Sequence, residues 1–203
     1  MINKLILATR NPGKVREIRA LLGDLALEII DLGSFLELPE VIEDGQTLEQ
    51  NSIKKARTIF QATKLPALAD DSGLEVQALG MRPGVFSARY AGDHASFADN
   101  NRKLMDELKG IPEQLRSARF RCVAAFVAEG VEHLTEGICE GLVASQLRGV
   151  YGFGYDPLFI PNGFQQSFAE LPPEVKNKIS HRAKAFQAMQ RFLLDRFRQV
   201  ASR

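Results

Sequence analysis

The stretch that decides the fold is Leu5-Ile6-Leu7-Ala8-Thr9-Arg10-Asn11-Pro12-Gly13-Lys14. Its first four residues are a short apolar run. Apolar residues then recur at helical spacing, namely Val15, Ile18, Leu21 and Leu22. Asn11 suits the N-cap of that helix, and Pro12 suits its first position. The pattern predicts a buried strand, a tight turn and an amphipathic helix.

Later segments predict further helices and strands. A T-x-x-Q capping box at Thr47 predicts the start of a second helix, and residues 96–108 predict a third. Alternating apolar residues on both sides of Gly130 predict an antiparallel hairpin. A last helix is predicted from about Ser180, with an apolar stripe of Phe186, Met189, Leu193, Phe197 and Val200. Because helices and strands are interleaved, we expect an α/β protein.

The segment Ala69-Asp70-Asp71-Ser72-Gly73-Leu74 places two carboxylates side by side. Apolar pieces at 65–69 and 74–76 flank it, so we expect it at or near a strand end. In extended backbone the two carboxylates point in different directions. Asp71 and Glu43 could then supply the carboxylates that Mg²⁺ takes beside phosphate and water oxygens. A polar turn after a strand is the alternative.

The turn before the first helix is a candidate anion site. Gly13 would let a ligand approach backbone amides that the helix start leaves unpaired. Lys14 adds a positive charge at the helix end where the dipole is already positive. A capped surface helix with a solvated lysine would have the same sequence. The G-x-x-x-x-G-K-S/T spacing of a P-loop is absent.

Other stretches suit either chemistry or structure. Lys55 lies one helical turn after Asn51, so both can face one cleft, although exposed helical lysines are usually solvated. Arg89 could bind phosphate or pair with an acid. Phe153-Gly154-Tyr155-Asp156 offers a stacking ring and an acceptor for a base, or a bulge that packs aromatic rings into the core. Ser180-His181-Arg182 is either a helix cap or an anion-facing site.

The composition limits the class of protein. The 203 residues carry 26 Lys and Arg against 25 Asp and Glu, so no global field attracts nucleic acid or an anionic membrane. No apolar run approaches the roughly 18 residues of a membrane span. We expect one domain over residues 1–203, in the cytoplasm, without nucleic-acid or membrane partners. Cys122 and Cys139 lack metal-ligand spacing and are expected to be buried, reduced thiols.

Five stretches in a fixed order resemble one family. They are Ala8 to Lys14, Asn51 to Lys55, Ala69 to Leu74, Pro83-Gly84 with Ser87-Ala88-Arg89, and Gly152 to Pro157 followed by Ser180-His181-Arg182. The set is similar to that of the inosine triphosphate pyrophosphatases, enzymes that remove ITP, dITP and XTP from the nucleotide pool. The similarity covers nearly the whole chain, and the ordered set is far more specific than any one motif.

This resemblance implies a long mixed β-sheet with flanking helices, two lobes around a central substrate cleft, and a homodimer. It implies Mg²⁺ as the cofactor, held by Glu43 and Asp71, with Asp71 as the catalytic carboxylate. The implied substrate contacts are Thr9, Arg10, Asn11, Pro12, Gly13, Lys14, Lys55 and Ser72, and around the base Phe153, Gly154, Tyr155, Asp156, Lys176, His181 and Arg182. Two positions depart from the family pattern: Arg10 replaces a small residue, and Gln50 replaces Glu.

The activity expected from these residues is magnesium-dependent hydrolysis of a nucleoside triphosphate to the monophosphate and pyrophosphate. Lys14 and Lys55 would neutralise phosphate oxygens while water attacks the α-phosphorus. Asp71 would hold the metal, or else orient or deprotonate the water. Selection of a 6-keto purine over adenine would come from hydrogen-bond donors, for which the candidates are Lys176, His181 and Arg182.

Three other functions fit parts of this pattern. A pyrophosphatase of the septum-inhibitor-associated type would share the phosphate chemistry but prefer modified pyrimidine nucleotides. A regulator could bind the same nucleotides without hydrolysis, although Glu43, Asp71 and both lysines argue against it. An RNA-binding module is disfavoured by the near-neutral charge and the absence of a basic run.

Overall fold

The computed structural model describes residues 4–23, 25, 27–35 and 38–201, with side chains up to residue 196. The strands are β1 (Lys4–Leu7), β2 (Glu28–Asp31), β3 (Ala67–Val76), β4 (Arg82–Pro83), β5 (Ser117–Ala128), β6 (Val131–Val143) and β7 (Phe159–Pro161). The α-helices are α1 (Pro12–Leu22), α2 (Leu48–Thr63), α3 (Phe97–Glu107), α4 (Pro173–Ile179) and α5 (His181–Ala201). Short 3-10 turns lie at Leu32–Ser34, Gln77–Leu79, Gly84–Arg89 and Glu113–Leu115.

The described strands form a mixed sheet in the order β2-β1-β3-β5-β6-β7, with β4 paired to β3. Strand β1 runs parallel to both of its neighbours, with Ile6 opposite Ile30 and Ala67. Strands β4 and β7 run antiparallel to β3 and β6. Neighbours β5 and β6 are joined by a two-residue turn in which Gly130 has φ +65°. The predicted α/β class, mixed sheet and hairpin are therefore confirmed.

The chain divides into two compact units, of which the first comprises Met1–Asp71, Cys122–Gly137 and Arg182–Arg203. Alternate residues of its strands enter two apolar clusters. Leu5 and Leu7 pack in the cluster that contains α1 and α5, whereas Ile6 packs in the cluster that contains α2. Because helices cover both of its faces, β1 is a continuous apolar run rather than an alternating one.

The second unit comprises Ser72–Arg121 and Ile138–His181. Its core joins the apolar face of α3 to the aromatic rings of β5 and β7. The rings of Phe120 and Phe159 meet edge to face, with centroids 4.7 Å apart. Helix α4 belongs to this unit and was not predicted, because seven residues are too few to show a repeating apolar stripe.

The acidic segment is the main difference from the predicted fold. Instead of a turn or strand end, residues 70–73 lie inside β3, which runs without interruption from Ala67 to Val76. A Cβ on Gly73 would lie 2.3 Å from the carbonyl oxygen of Gly84, so the close backbone approach requires glycine. Tertiary contacts thus override the turn preference of Asp, Ser and Gly.

Helices α1 and α2 begin at the predicted caps, Asn11 and Thr47, and α3 begins after Ser96, where the third helical pattern was predicted to start. Asn11, Thr47 and Ser96 each accept hydrogen bonds from backbone amides in the first turn of their helices. In α5, Phe186, Met189 and Leu193 are buried as predicted, and the rest of the predicted stripe, Phe197 and Val200, lies outside the described side chains.

Two predictions from composition can be compared with the structure. Cys122 and Cys139 are both buried and form no disulfide within the described part of the chain, as expected. Within the described part of the chain, no helix is both long and apolar enough to cross a membrane.

Candidate active site

The turn between β1 and α1 is organised by its own side chains. Asn11 Oδ1 accepts hydrogen bonds from the backbone amides of Gly13 (2.8 Å) and Lys14 (3.2 Å). Thr9 Oγ1 accepts one from the amide of Asn11, and Pro12 fills the first helical position. Asn11 is therefore the N-cap that the sequence predicted, and its side chain already pairs with two of the amides at the helix start. The turn presents the Lys14 ammonium and the helix dipole to an anion.

A second group of side chains in the first unit, the carboxylate–lysine cluster, consists of Glu43, Asn51, Lys55 and Asp71. Lys55 Nζ donates to Glu43 Oε1 at 2.9 Å and to Asp71 Oδ1 at 3.2 Å. Asn51 Nδ2 donates to the other oxygen, Asp71 Oδ2, at 3.1 Å. Asn51 Oδ1 also accepts from the amide of Gly45, which fixes the loop that carries Glu43. The predicted shared face of Asn51 and Lys55 is confirmed.

Burial and ion pairing oppose each other in this cluster. Burial raises the pKa of Asp71, and Lys55 and Lys14 offset this only in part. Burial would also raise the pKa of Glu43, but the same two lysines bring it below its ordinary value. The pKa of Lys55 lies above its ordinary value because Asp71 and Glu43 outweigh its burial. A further cation beside Asp71 would therefore be favourable.

The donor set of the cluster fits Mg²⁺. Glu43 and Asp71 provide two carboxylates that approach the same cationic group. Mg²⁺ takes one or two carboxylates from a protein when phosphate and water oxygens complete its coordination. Among the described residues, no group of three or more His, Cys, Asp or Glu side chains could hold a metal.

Asp70 is part of a separate set of contacts, the Asp70 network, with Lys14, Glu17 and Arg182. Arg182 Nε and Nη2 donate to Asp70 Oδ2 at 3.2 and 2.9 Å. Lys14 Nζ lies 3.2 Å from the same oxygen. Arg182 Nη1 donates to Glu17 Oε2 at 2.6 Å, so the start of α5 is tied to both α1 and β3.

The charges of the Asp70 network explain the ionisation of its carboxylate. Burial alone would raise the pKa of Asp70, but Lys14 and Arg182 hold it far below its ordinary range. The two neighbouring carboxylates therefore have different partners, as extended backbone predicts, and Asp70 has a supporting position. The Arg182 guanidinium pairs with Asp70 and Glu17. Its expected contact with the base remains a prediction.

The second unit contains the predicted base loop, residues 153–156. Asp156 Oδ2 accepts a hydrogen bond from the amide of Phe153 at 2.8 Å and pairs with Lys176 Nζ. A Cβ on Gly152, at φ +73°, would lie 2.0 Å from that oxygen, so the position requires glycine. Lys176 Nζ also lies 5.1 Å from the centroid of the Phe153 ring. Three of the predicted base contacts are therefore brought together.

The other residues predicted around the base have different surroundings. The Tyr155 ring is buried, and its hydroxyl donates to the carbonyl oxygen of Ser87 at 2.9 Å. The ring therefore packs in the core, which was the alternative left open for this loop, and the base contact of Tyr155 remains a prediction. His181 is buried with its ring stacked on Phe120, the centroids 4.5 Å apart. Ser72 is partly buried on β3, directly after Asp71.

The two positions that departed from the family pattern make the following contacts. Arg10 is exposed, and its guanidinium lies 3.4 Å from the carbonyl oxygen of Leu38. Gln50 Oε1 accepts from the backbone amide of Gln46 at 2.7 Å, which caps the start of α2 without a carboxylate. Arg89, which had two possible roles, lies 5.0 Å from the Phe86 ring centroid in a cation–π contact.

Two contributors were missed by sequence reasoning. Glu17 follows Lys14 by three residues and so shares its helical face, but its partner Arg182 is 165 positions away. Asn101 of α3 donates to the carbonyl oxygen of Gly154 at 3.0 Å. Spacing along the sequence signals neither contact, because each joins elements that meet only in the folded chain.

This chain is similar to known proteins over most of its length. Residues 5–192 match the model of the Ham1 family. A dITP/XTP pyrophosphatase of Desulforamulus reducens is 50% identical over 186 residues, which cover 91% of this chain and 92% of that protein. The dITP/XTP pyrophosphatase of Bacillus subtilis is 44% identical over 194 residues, covering 95% and 98%.

Solved structures show the same fold. A HAM1 protein from Coxiella burnetii superposes with a TM-score of 0.85 at 41% identity, over 95% of this chain and 98% of that one. A nucleoside-triphosphatase / dITP/XTP pyrophosphatase from Mycobacterium abscessus gives a TM-score of 0.73 at 42% identity, covering 92% and 97%. The resemblance predicted from the ordered motifs is confirmed, and the chain belongs to the Ham1 family.

Proposed function

We propose that this protein hydrolyses non-standard purine nucleoside triphosphates, ITP, dITP and XTP, to the monophosphate and pyrophosphate in a magnesium-dependent reaction. The observation that carries the proposal is the carboxylate–lysine cluster, in which Glu43 and Asp71 share the Lys55 ammonium. The names of the relatives, dITP/XTP pyrophosphatases at 44–50% identity over most of the chain, support the substrate class.

Lys14 and Lys55 are proposed to bind the triphosphate. Both ammonium groups are held by carboxylates in the first unit, Lys14 by Asp70 and Lys55 by Asp71 and Glu43. Their positions are thus set before substrate arrives, and little reorganisation accompanies the development of charge on the leaving pyrophosphate. A helix N-terminus at Pro12 adds its dipole on the side of Lys14.

Asp71 is the proposed catalytic carboxylate. Water attacks the α-phosphorus, the bond to the bridging oxygen of the β-phosphate breaks, and pyrophosphate leaves with that oxygen. The Asp71 carboxylate orients this water or accepts its proton, because its two oxygens are held in place by Lys55 and Asn51. Mg²⁺, when held by Glu43 and Asp71, supplies charge neutralisation for the phosphate oxygens.

Base selection is proposed to reside in the second unit, with Phe153 as the stacking ring and Lys176 as a donor to the 6-keto oxygen. Adenine has a 6-amino group there and would place donor against donor. His181 is the other proposed hydrogen-bond donor to the base. Asp156 holds the conformation of the loop through its contacts with Phe153 and Lys176.

The test is a panel of ITP, dITP, XTP, GTP, ATP and dTTP with and without Mg²⁺, with pyrophosphate and orthophosphate measured separately. We expect pyrophosphate from the first three only, and only with the metal. Orthophosphate as the sole product would contradict the reaction, and a preference for pyrimidine nucleotides would favour the rival pyrophosphatase class. Binding of ITP without turnover would favour a regulator.

Lys176→Met is expected to lower the preference for ITP over ATP roughly tenfold to a hundredfold, because one buried donor contributes about 1–3 kcal/mol to discrimination. Steady-state kinetics with both nucleotides would measure the ratio. Lys178→Met, on the exposed side of the same helix, is the control and should keep the wild-type ratio. An unchanged ratio in Lys176→Met would remove Lys176 from base selection.

We also propose that the protein is a homodimer and that it acts in the cytoplasm, where its nucleotide substrates are located. The resemblance to the family supports both proposals. Size-exclusion chromatography with light scattering would test the assembly, and a monomer mass would contradict it.

A further inference from the structure

Helix α3 presents two side chains to the base loop from one face. Phe97 and Asn101 are four residues apart, so they lie one above the other on the helix surface. The Phe97 and Phe153 rings have centroids 6.0 Å apart at an interplanar angle of 38°. Asn101 Nδ2 donates to the carbonyl oxygen of Gly154 at 3.0 Å. Two successive residues of the loop are thus held from the same helix.

Asn101 is an unusual choice for this position on grounds of stability. Its side chain is 5% exposed, and its Oδ1 has no hydrogen-bond partner among the described residues. Burying an unpaired acceptor is unfavourable, so an apolar residue would pack there at less cost. What only the amide provides is the hydrogen bond that fixes the Gly154 carbonyl, in a loop where Gly154 has φ +64°.

Phe97 is equally hard to explain as core. Phe97 is the first residue of α3, and about half of its surface, 48%, is exposed. Its ring contact is with Phe153, over which Lys176 Nζ also lies at 5.1 Å. The Phe97 ring lies against the partly buried Phe153 ring. This contact limits the orientations that the Phe153 ring can take.

The helix that carries both residues is itself firmly held. Ser96 and Asp99 form a reciprocal capping box at its start. Asn100 accepts from the amide of Ala91 and donates to the carbonyl oxygen of Ala88. Leu104 is buried in the apolar core of the second unit. The first turns of α3 therefore form a rigid support for the loop.

We propose that Phe97 and Asn101 are positioning residues that set the orientation of Phe153 and Gly154 for stacking on the purine base. This rests on the proposed function, because it assigns the base loop of that same site. The two residues act through the loop, so their loss should weaken nucleotide binding while the hydrolytic step, carried by the first unit, is kept.

The test is Phe97→Ala, which removes an exposed ring and should leave the thermal unfolding midpoint unchanged. We expect KM for ITP to rise about threefold to tenfold, the range that corresponds to losing one aromatic pair, with kcat within about twofold. Product inhibition by IMP should weaken by a similar factor, whereas inhibition by pyrophosphate, which has no base, should stay the same. Phe97→Tyr should restore the wild-type KM.

Asn101→Leu provides the second variant, since it keeps a similar volume in a buried position and removes the amide donor to Gly154. The same rise in KM for ITP and the same unchanged inhibition by pyrophosphate are expected. Leu115→Ala, an exposed apolar truncation in the same unit, is the control and should behave as wild type.

The outcomes separate this inference from the proposed function. If the wild-type protein does not release pyrophosphate from ITP, the proposed function fails. If it does, and Phe97→Ala has the wild-type KM for ITP, the positioning role is overturned. An equal loss of pyrophosphate inhibition in Phe97→Ala would overturn it as well, because the effect would then not pass through the base.

Discussion

Replacing Asp71 with asparagine is expected to lower kcat for ITP by about a thousandfold, at the upper end of what one electrostatic group contributes to a reaction. The carboxylate accepts from Lys55 through one oxygen and from Asn51 through the other. An asparagine keeps one acceptor, so its NH₂ group must face one of these donors. The variant also loses the charge that a cation and an attacking water would need.

The rate of pyrophosphate release at saturating ITP, measured across a Mg²⁺ titration, tests this expectation. We expect the midpoint of the titration to move to higher Mg²⁺ in Asp71→Asn. Asp44→Asn is a matched control, because it changes an exposed carboxylate beside Glu43 that pairs only with Lys54 in the described contacts. Turnover near the wild-type value in Asp71→Asn would rule out Asp71 as the catalytic carboxylate.

The fold was largely predictable because local signals agreed with tertiary packing. Asn11, Thr47 and Ser96 cap helices where the sequence indicated, and the apolar run of β1 is buried on both faces. The exception is Asp70-Asp71-Ser72-Gly73, whose composition favours a turn. In the strand conformation its carboxylates meet Lys55 and Arg182, and Gly73 lies against the Gly84 carbonyl oxygen. These partners come from distant parts of the chain, which local preference does not contain.

The candidate site was predictable where helical spacing carried the information. Asn51 and Lys55 are one turn apart, and they do meet Asp71. Partners of the other carboxylate were not predictable. Arg182 lies 112 residues from Asp70, and its position next to His181 suggested a single shared role. Adjacent residues at a helix start can belong to different compact units, as these two do.

The second large effect is expected on stability, from Asp70→Asn. Arg182 is buried, and its guanidinium divides its bonds between Asp70 and Glu17. Removing one partner of a buried ion pair leaves an uncompensated charge, which lowers the free energy of unfolding by about 3–5 kcal/mol. Urea unfolding at pH 7 would measure the loss. Glu132→Gln, which breaks the exposed pair with Arg57, should cost less than about 1 kcal/mol.

The pH dependence gives this prediction a second, independent readout. Since the pKa of Asp70 is lower in the folded protein, its stabilisation is complete above the unfolded value of about 3.9 and is lost as pH falls towards the folded value. The difference in unfolding free energy between wild type and Asp70→Asn should therefore be constant from about pH 5 to 8 and shrink below about pH 4. If both proteins instead lost stability in parallel below pH 4, the charge on Asp70 would not be what stabilises the Asp70 network. If Asp70→Asn does not lower the free energy of unfolding, Glu17 alone would compensate the charge of Arg182. Lys14 would then need another group to hold its ammonium in place.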